Sequence, residues 1–393
     1  MIGRLLSYAL TGVVTLTGTY AVFLTVLTIP YFQNHAIYLH GFKMTWGQDL
    51  NVPEQWGFMK NQVTPFSLTT SDKQKIHAWH ILPLELYNKH QQELCQEPSG
   101  FVKDITTRLS FKLLRDDPEA LLVIYLHGAG GTLGSGYRPP SYRAMYAGGP
   151  NKIHTIAIDY RGFGSSTGSP SETGLLLDAS TLVRWATMEA QIPPSRIVLF
   201  AQSIGTAIGA SLVRDLARQS PPVHFAGIVF VAPFSDAEAL TSTYKIAGTI
   251  PLLSPLARFP ILMKYFHGFI KDKLRTKDKL EDFVRTCEHS SIEIPKYDIT
   301  IIHAEDDWDI HWSHSETLFW HAVNGSVVRG IAFDELDHIK QQNKTFLDFG
   351  GWAFEWRTDK GIIREEITKY GLHDRIMSYP IVSLAVLRAF GIK

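Results

Sequence analysis

Two cysteines, Cys95 and Cys287, are all that 393 residues contain. That is too few for the disulfide framework that stabilises small secreted domains, and the redox compartment cannot be read from them. An excess of charge is missing too. The 38 basic residues balance 38 acidic ones, so no long-range field favours nucleic acid, and no nucleic-acid partner is expected. Between Leu5 and Pro30 there is no charged residue at all. A helix needs roughly 20 apolar residues to cross a bilayer, and this run supplies them. The run also lacks the small-x-small site that follows the shorter apolar core of a cleaved leader. Residues 1–30 therefore read as a retained N-terminal transmembrane signal anchor. Arg4 and the terminal amine, opposed by Lys43 and two histidines, slightly favour a cytosolic N-terminus. The bulk of the chain is then expected in a lumen, taken as that of the endoplasmic reticulum. Two glycosylation sequons, at Asn324 and Asn343, are compatible with that side.

What is present is an ordinary globular composition, 45% hydrophobic and 12% aromatic, with ample material for a core. Residues 31–63 have no clear periodicity and read as a juxtamembrane linker. Segments 65–70 and 75–81 make a hairpin, and 84–117 is a polar excursion. Apolar runs then alternate with helical patterns. Strands are expected at 121–126, 153–158, 197–202, 227–232, 299–303 and 327–333, with a helix over 171–189 capped by Ser171. Such βα alternation means an α/β fold built on a parallel sheet with helices on both faces, and ligands at the carboxyl ends of the strands. Between 234 and 295 the regularity breaks for longer than a simple connection allows. The apolar, proline-interrupted stretch there follows a strand end, and reads as a helical lid on the same rim, able to touch lipid through an apolar face. Segment 349–393 reads as a C-terminal helical extension, either a closing helix or a second membrane contact.

The stretch Ile197-Val-Leu-Phe-Ala-Gln-Ser203-Ile-Gly205 is an apolar strand that turns at a serine into a small-residue helix. A serine at such a turn is thrust to the tip of the sheet above a helix N-terminus. On its own the pattern also suits a helix-capping serine. Activation needs a base and a group that orients it, in the chain order Ser, acid, His. Four acids follow the 299–303 strand: Glu305, Asp306, Asp307 and Asp309. His338 lies just beyond the expected strand 327–333 and is the candidate base. Donors for a developing oxyanion come from His127-Gly-Ala-Gly-Gly131, whose glycines allow close backbone approach. The N–H groups of Ala129 and Ile204 would form the pair. The same loop lacks the Gly-Lys-Ser/Thr ending of a phosphate cradle. This chemistry calls for no metal and no organic cofactor.

These segments, together with Asp159-Tyr-Arg-Gly-Phe-Gly-Ser-Ser-Thr-Gly168, His303-Ala-Glu-Asp-Asp307 and Asp337-His338, resemble the α/β-hydrolase superfamily over about 120–345. The anchor and the stretch from Val52 to Pro83 further resemble its membrane-anchored monoacylglycerol and lysophosphatidylserine lipases and their fungal relatives. The resemblance implies an α/β-hydrolase domain over 64–348, with a mostly parallel sheet of about eight strands and the lid at 234–295. It also implies a serine hydrolase that cleaves carboxylic esters of membrane lipids through an acyl-enzyme on Ser203. The family pattern Gly-x-x-Asp-x-x-Val fits Ala304 to Ile310 and selects Asp307, with Asp306 as the alternative acid. Ala201 departs from the family's glycine and adds crowding at the turn. Two alternatives stay open: a thioesterase, amidase or peptidase with the same triad, and a non-catalytic membrane-anchored scaffold.

Overall fold

A computed structural model describes residues 2–246, 249–251, 253–290, 297–348 and 350–392. Parts of the expected lid (247–248, 252 and 291–295) therefore lie outside the described residues. Ten strands form one sheet: β1 (Val63–Thr69), β2 (Lys75–Ile81), β3 (Leu121–Leu126), β4 (Ile153–Ile158), β5 (Ile197–Gln202), β6 (Gly227–Val231), β7 (Tyr297–Ala304), β8 (Thr345–Phe346), β9 (Gly351–Arg357) and β10 (Gly361–Thr368). Their order is β1-β2-β4-β3-β5-β6-β7-β10-β9-β8. The six central strands, from β4 to β10, pair in parallel, and the two strands at each edge are antiparallel. Apart from β10, the central strands are largely apolar on both faces because helices cover both. Leu122, Ile124 and Leu126 enter one core, and Val123 and Tyr125 the other.

One expected strand is a correction. Residues 327–333 are β-forming in composition, yet the helix Ser313–Ser326 runs up to them and Phe333–Asn343 begins at their end. Between the two, the chain turns through Gly330 at φ +72° and leaves Val328 exposed. The strand that completes the parallel set is β10, inside the segment expected to be a helical extension. Its charges disguised it. Arg364 pairs with Asp298 and Glu355, Glu365 with Lys340, and Glu366 with Arg388. Neutralised in this way, Gly361–Thr368 is buried beside β7. The final helix Pro380–Ala389 buries Ile381, Val382, Ala385 and Val386 in the second core, so it closes the fold.

At the other end, the helix Ile2–Leu27 is long and apolar enough to cross a membrane and is almost wholly exposed. The stretch that follows is no simple linker. Pro30 opens a second helix, Pro30–Tyr38, which ends at Leu39 in the left-handed region. Tyr38 is fully buried, and the carbonyls of Tyr38 and Phe42 accept from the Gly130 and Gly131 N–H groups at 2.8 and 2.7 Å. Cys95 and Cys287 are unpaired.

Candidate active site

Ser203 follows β5 with φ +52° and ψ −122°, a conformation that costs a non-glycine residue of order 1–3 kcal/mol. Two features hold it there. Its N–H donates to Val231 O across the sheet, and its carbonyl accepts from both the N–H and the hydroxyl of Thr206. The small neighbours are required by space. A Cβ on Gly205 would stand 2.3 Å from the Leu126 carbonyl oxygen and 2.9 Å from that of His127. Ala201, in contrast, fits: the helix position opposite is Gly209, where even an added Cβ would keep 3.4 Å from the Ala201 methyl. The serine is nearly buried and lines a cavity of about 290 Å³.

The acids separate into distinct roles. Asp307, just past β7, is 4% exposed. Its Oδ1 accepts the N–H groups of Asp309 and Ile310 at 3.0 and 2.9 Å. Its Oδ2 faces His303 Nε2 at 2.9 Å and His373 Nδ1 at 2.8 Å. Burial alone would raise its pKa. The charge of His373 and the hydrogen bonds from both imidazoles overcome that and hold the carboxyl well below the usual range. Asp306, the alternative acid, instead accepts the Leu372 N–H at 2.8 Å, which steadies a residue at φ +51°. Glu305 pairs with Lys369. Asp309 lines the cavity rim.

His338 must be corrected as the base. It sits exposed on Phe333–Asn343 and receives a hydrogen bond from the Gln342 amide at 2.9 Å, with no contact to Asp307. His373 is the histidine brought to that acid. Register explains how: Thr368, the last residue of β10, pairs with Ala304, the last of β7, so the two following turns are neighbours. With Nδ1 committed to Asp307, His373 keeps Nε2 as the free basic nitrogen. Burial would lower its pKa, but Asp307, and then Asp374 and Asp309, push it up to about 9. Gln202, the residue before Ser203, grips this turn: its amide donates to His373 O and to Asp374 Oδ1, each at 3.4 Å. Ser203, Ile204, Ala129 and His373 all line the one cavity.

Two further residues escaped the sequence reading. His303 Nε2 faces two acceptors, Asp307 Oδ2 and Ile310 O at 3.0 Å, while Nδ1 meets Ser315 Oγ at 2.7 Å. Nε2 must therefore carry the proton, and His303 serves as a buried second donor to the acid. Arg138, nearly buried, donates to the carbonyls of Gly128, Gly130 and Thr132 at 3.0, 2.7 and 2.6 Å and reaches Ala129 O at 3.4 Å. Gathering these carbonyls on one side leaves the loop's amides to face elsewhere. A Cβ on Gly128 would strike the Gln202 amide oxygen at 2.2 Å and come within 3.0 Å of Ser203 Cβ, so this backbone runs against the serine.

Most of the remaining wall is apolar and comes from two directions, one expected and one not. The expected lid supplies Leu240, Leu253, Phe266 and Ile270; the end of the N-terminal helix and the helix after it supply Leu27 and Ile37. A model of the alpha/beta hydrolase family matches residues 123–329. Lysophosphatidylserine lipase ABHD12 of Xenopus tropicalis is 26% identical over 294 residues, covering 74% of this chain and 66% of that protein. Protein ABHD12B of Homo sapiens is 27% identical over 291 residues, covering 73% and 69%. The chain thus spans about two thirds of these relatives' length. An alpha-beta hydrolase from Vibrio vulnificus superposes with a TM-score of 0.50 at 15% identity, over 80% of this chain and 91% of that one, a likeness of fold. The matched family segment includes Ala129, Ser203 and Asp307 but ends before His373.

Proposed function

Because the chain belongs to the α/β-hydrolase family, we propose that it is a carboxylic ester hydrolase of membrane lipids, acylated on Ser203. His373 takes the Ser203 proton through Nε2, then returns it to the leaving alcohol. Asp307 holds the imidazole in the tautomer that exposes Nε2. The N–H groups of Ala129 and Ile204 receive the developing oxyanion. Water, activated by the same histidine, then releases the fatty acid.

The observation that carries this reading is the 2.8 Å bond between His373 Nδ1 and the buried Asp307 Oδ2, with His373 lining the same cavity as the strained Ser203. The walls support a substrate class. An apolar cavity beside a helix able to cross a membrane suits one long acyl chain on a small head, that is, a monoacylglycerol or a lysophospholipid. The relatives named for lysophosphatidylserine support the second. Ile2–Leu27 anchors the chain, with the catalytic domain in the lumen of the endoplasmic reticulum. The exposed sequon asparagine Asn343 gives an assay of that side, since a glycosidase-sensitive mass shift is expected and its absence refutes lumenal placement.

The central test is labelling with a fluorophosphonate probe, followed by a panel of lysophospholipids, monoacylglycerols, thioesters and peptides. Ser203→Ala should abolish labelling, and lipid esters should dominate turnover. Undiminished labelling, or a thioester or peptide preferred over every lipid ester, would overturn the assignment.

A further inference from the structure

The lid helix Pro260–His267 is apolar on both sides. Met263 and Phe266 point into the core. Ile261, Leu262 and Tyr265 are 85%, 53% and 71% exposed on the other face, flanked by exposed Phe259 and Phe269. A helix that is apolar all round is normally enclosed by protein or by lipid; among the described residues, no protein covers this face. Three cations, Arg258, Lys264 and Lys271, are exposed along the same segment, the pattern of an element lying at an anionic or zwitterionic interface.

The N-terminal helix fixes where that face lies. The Tyr20 side chain lies beside the Leu256 backbone, and Tyr20 stands seven residues before Leu27, about 10 Å along the axis. The helix is about 39 Å long against a hydrocarbon core of about 30 Å, so its last two turns occupy one leaflet and its interface. The lid reaches that depth. It is also latched there: the Gln33 amide donates to Phe269 O at 2.8 Å and accepts the Lys271 N–H at 3.1 Å, and the Tyr38 hydroxyl donates to Asp272 at 2.7 Å. Around the same junction Tyr31, Phe32 and Trp46 are exposed, aromatics of the kind that collect at membrane interfaces.

We propose that the lid segment from Leu253 to Ile270 is itself embedded in the leaflet that holds the C-terminal end of Ile2–Leu27. Substrate acyl chains then reach Ser203 sideways from that leaflet, between Leu27, Leu253 and Phe266, without crossing water. The embedding rests on Ile2–Leu27 being a membrane span; the route rests on the hydrolase reading of the cavity.

The test uses the full chain in phosphatidylcholine nanodiscs. With Cys95→Ser removing the accessible thiol, Ile261→Cys carries an environment-sensitive fluorophore and Val328→Cys, on a turn outside the cavity, serves as control. Nitroxides on the lipid acyl chains should quench position 261 and spare 328. Equal behaviour at the two positions overturns the embedding. So does a blue shift at 261 without quenching, which would mean that a second protein covers the face. In parallel, Ile261→Ser with Leu262→Ser should lower kcat/KM on vesicle-borne monoacylglycerol by about ten-fold or more and leave a soluble short-chain aryl ester unaffected. No loss on vesicles, or equal loss on both substrates, overturns the sideways route. Quenching is read without turnover, so an inert wild-type protein with a quenched position 261 would sink the hydrolase reading and the route but not the embedding.

Discussion

Replacing His373 and His338 by alanine, one at a time, separates the two histidines most sharply. His373→Ala removes the imidazole in contact with Asp307, the proposed proton acceptor. Loss of the general base from a serine triad costs about 10⁴–10⁶ in kcat, or about 5–8 kcal/mol at about 1.4 kcal/mol per decade. The fold should tolerate the change. Asp307 would keep three of its four donors, His303 Nε2 and the N–H groups of Asp309 and Ile310, and His373 is already 14% exposed. The stability loss should therefore stay at about 1.5–3 kcal/mol, the worth of one charge-assisted hydrogen bond. His338 gives up only a bond from the exposed Gln342 amide, so His338→Ala should hold kcat/KM within about two-fold of wild type. The assay is hydrolysis of a soluble aryl ester, with thermal denaturation as the control for folding. A His373→Ala protein retaining more than a tenth of activity, or a large loss in folded His338→Ala, would refute the reasoning.

Other outcomes follow from the same geometry. Because Asp307 lifts His373 to about 9 and only the neutral imidazole can accept a proton, kcat/KM should climb with pH toward a plateau above that value; Asp374→Asn removes one raising charge and should move the limb down by about one unit or less. A limb unmoved by that change would discount Asp374. Arg138→Met releases the carbonyls that shape the Ala129 loop and should lower kcat about 100-fold with KM little changed, an effect read from steady-state kinetics. Gly205→Ala forces a Cβ against two backbone oxygens and should cost about 3 kcal/mol in urea denaturation. Ala201→Gly restores the usual motif residue yet should cost about 0.5–1 kcal/mol and leave turnover unimproved, because the methyl already fits against Gly209.

The parallel core was legible because its strands are buried on both faces and so are written as unbroken apolar runs. The strand-to-helix turn at Ser203 was legible for a related reason: the crowding beside it admits only small residues, and that demand appears in the sequence. The acidic cluster at 305–309 was legible through its place right after a strand, but Asp307 was separated from Asp306 only by the family pattern. Nothing comparable marked β10. Three of its eight residues are charged, and only their partners Asp298, Lys340 and Arg388, distant in sequence, make them tolerable inside a sheet. Without that strand the run at 327–333 looked like the last one, and Asp337-His338 stood where the base belongs. His373-Asp374 was passed over because the strand before it was unseen.

The cavity walls were hidden by a different cause. An apolar helix near an N-terminus reads as a tether, and tethers are treated as separable from the chemistry they hold in place. Here Leu27 lines the cavity with Ser203, and Tyr38 O and Phe42 O take up two N–H groups of the very loop that carries Ala129. Those two bonds consume the Gly130 and Gly131 amides, so the segment after the N-terminal helix helps decide which backbone donors of this loop stay free. No periodicity in 31–63 could announce this, because the bonds run through carbonyls, which every residue has. Side chains betray a site in sequence when the chemistry needs their identity; when a site is built from backbone groups and a borrowed wall, only the folded chain displays it.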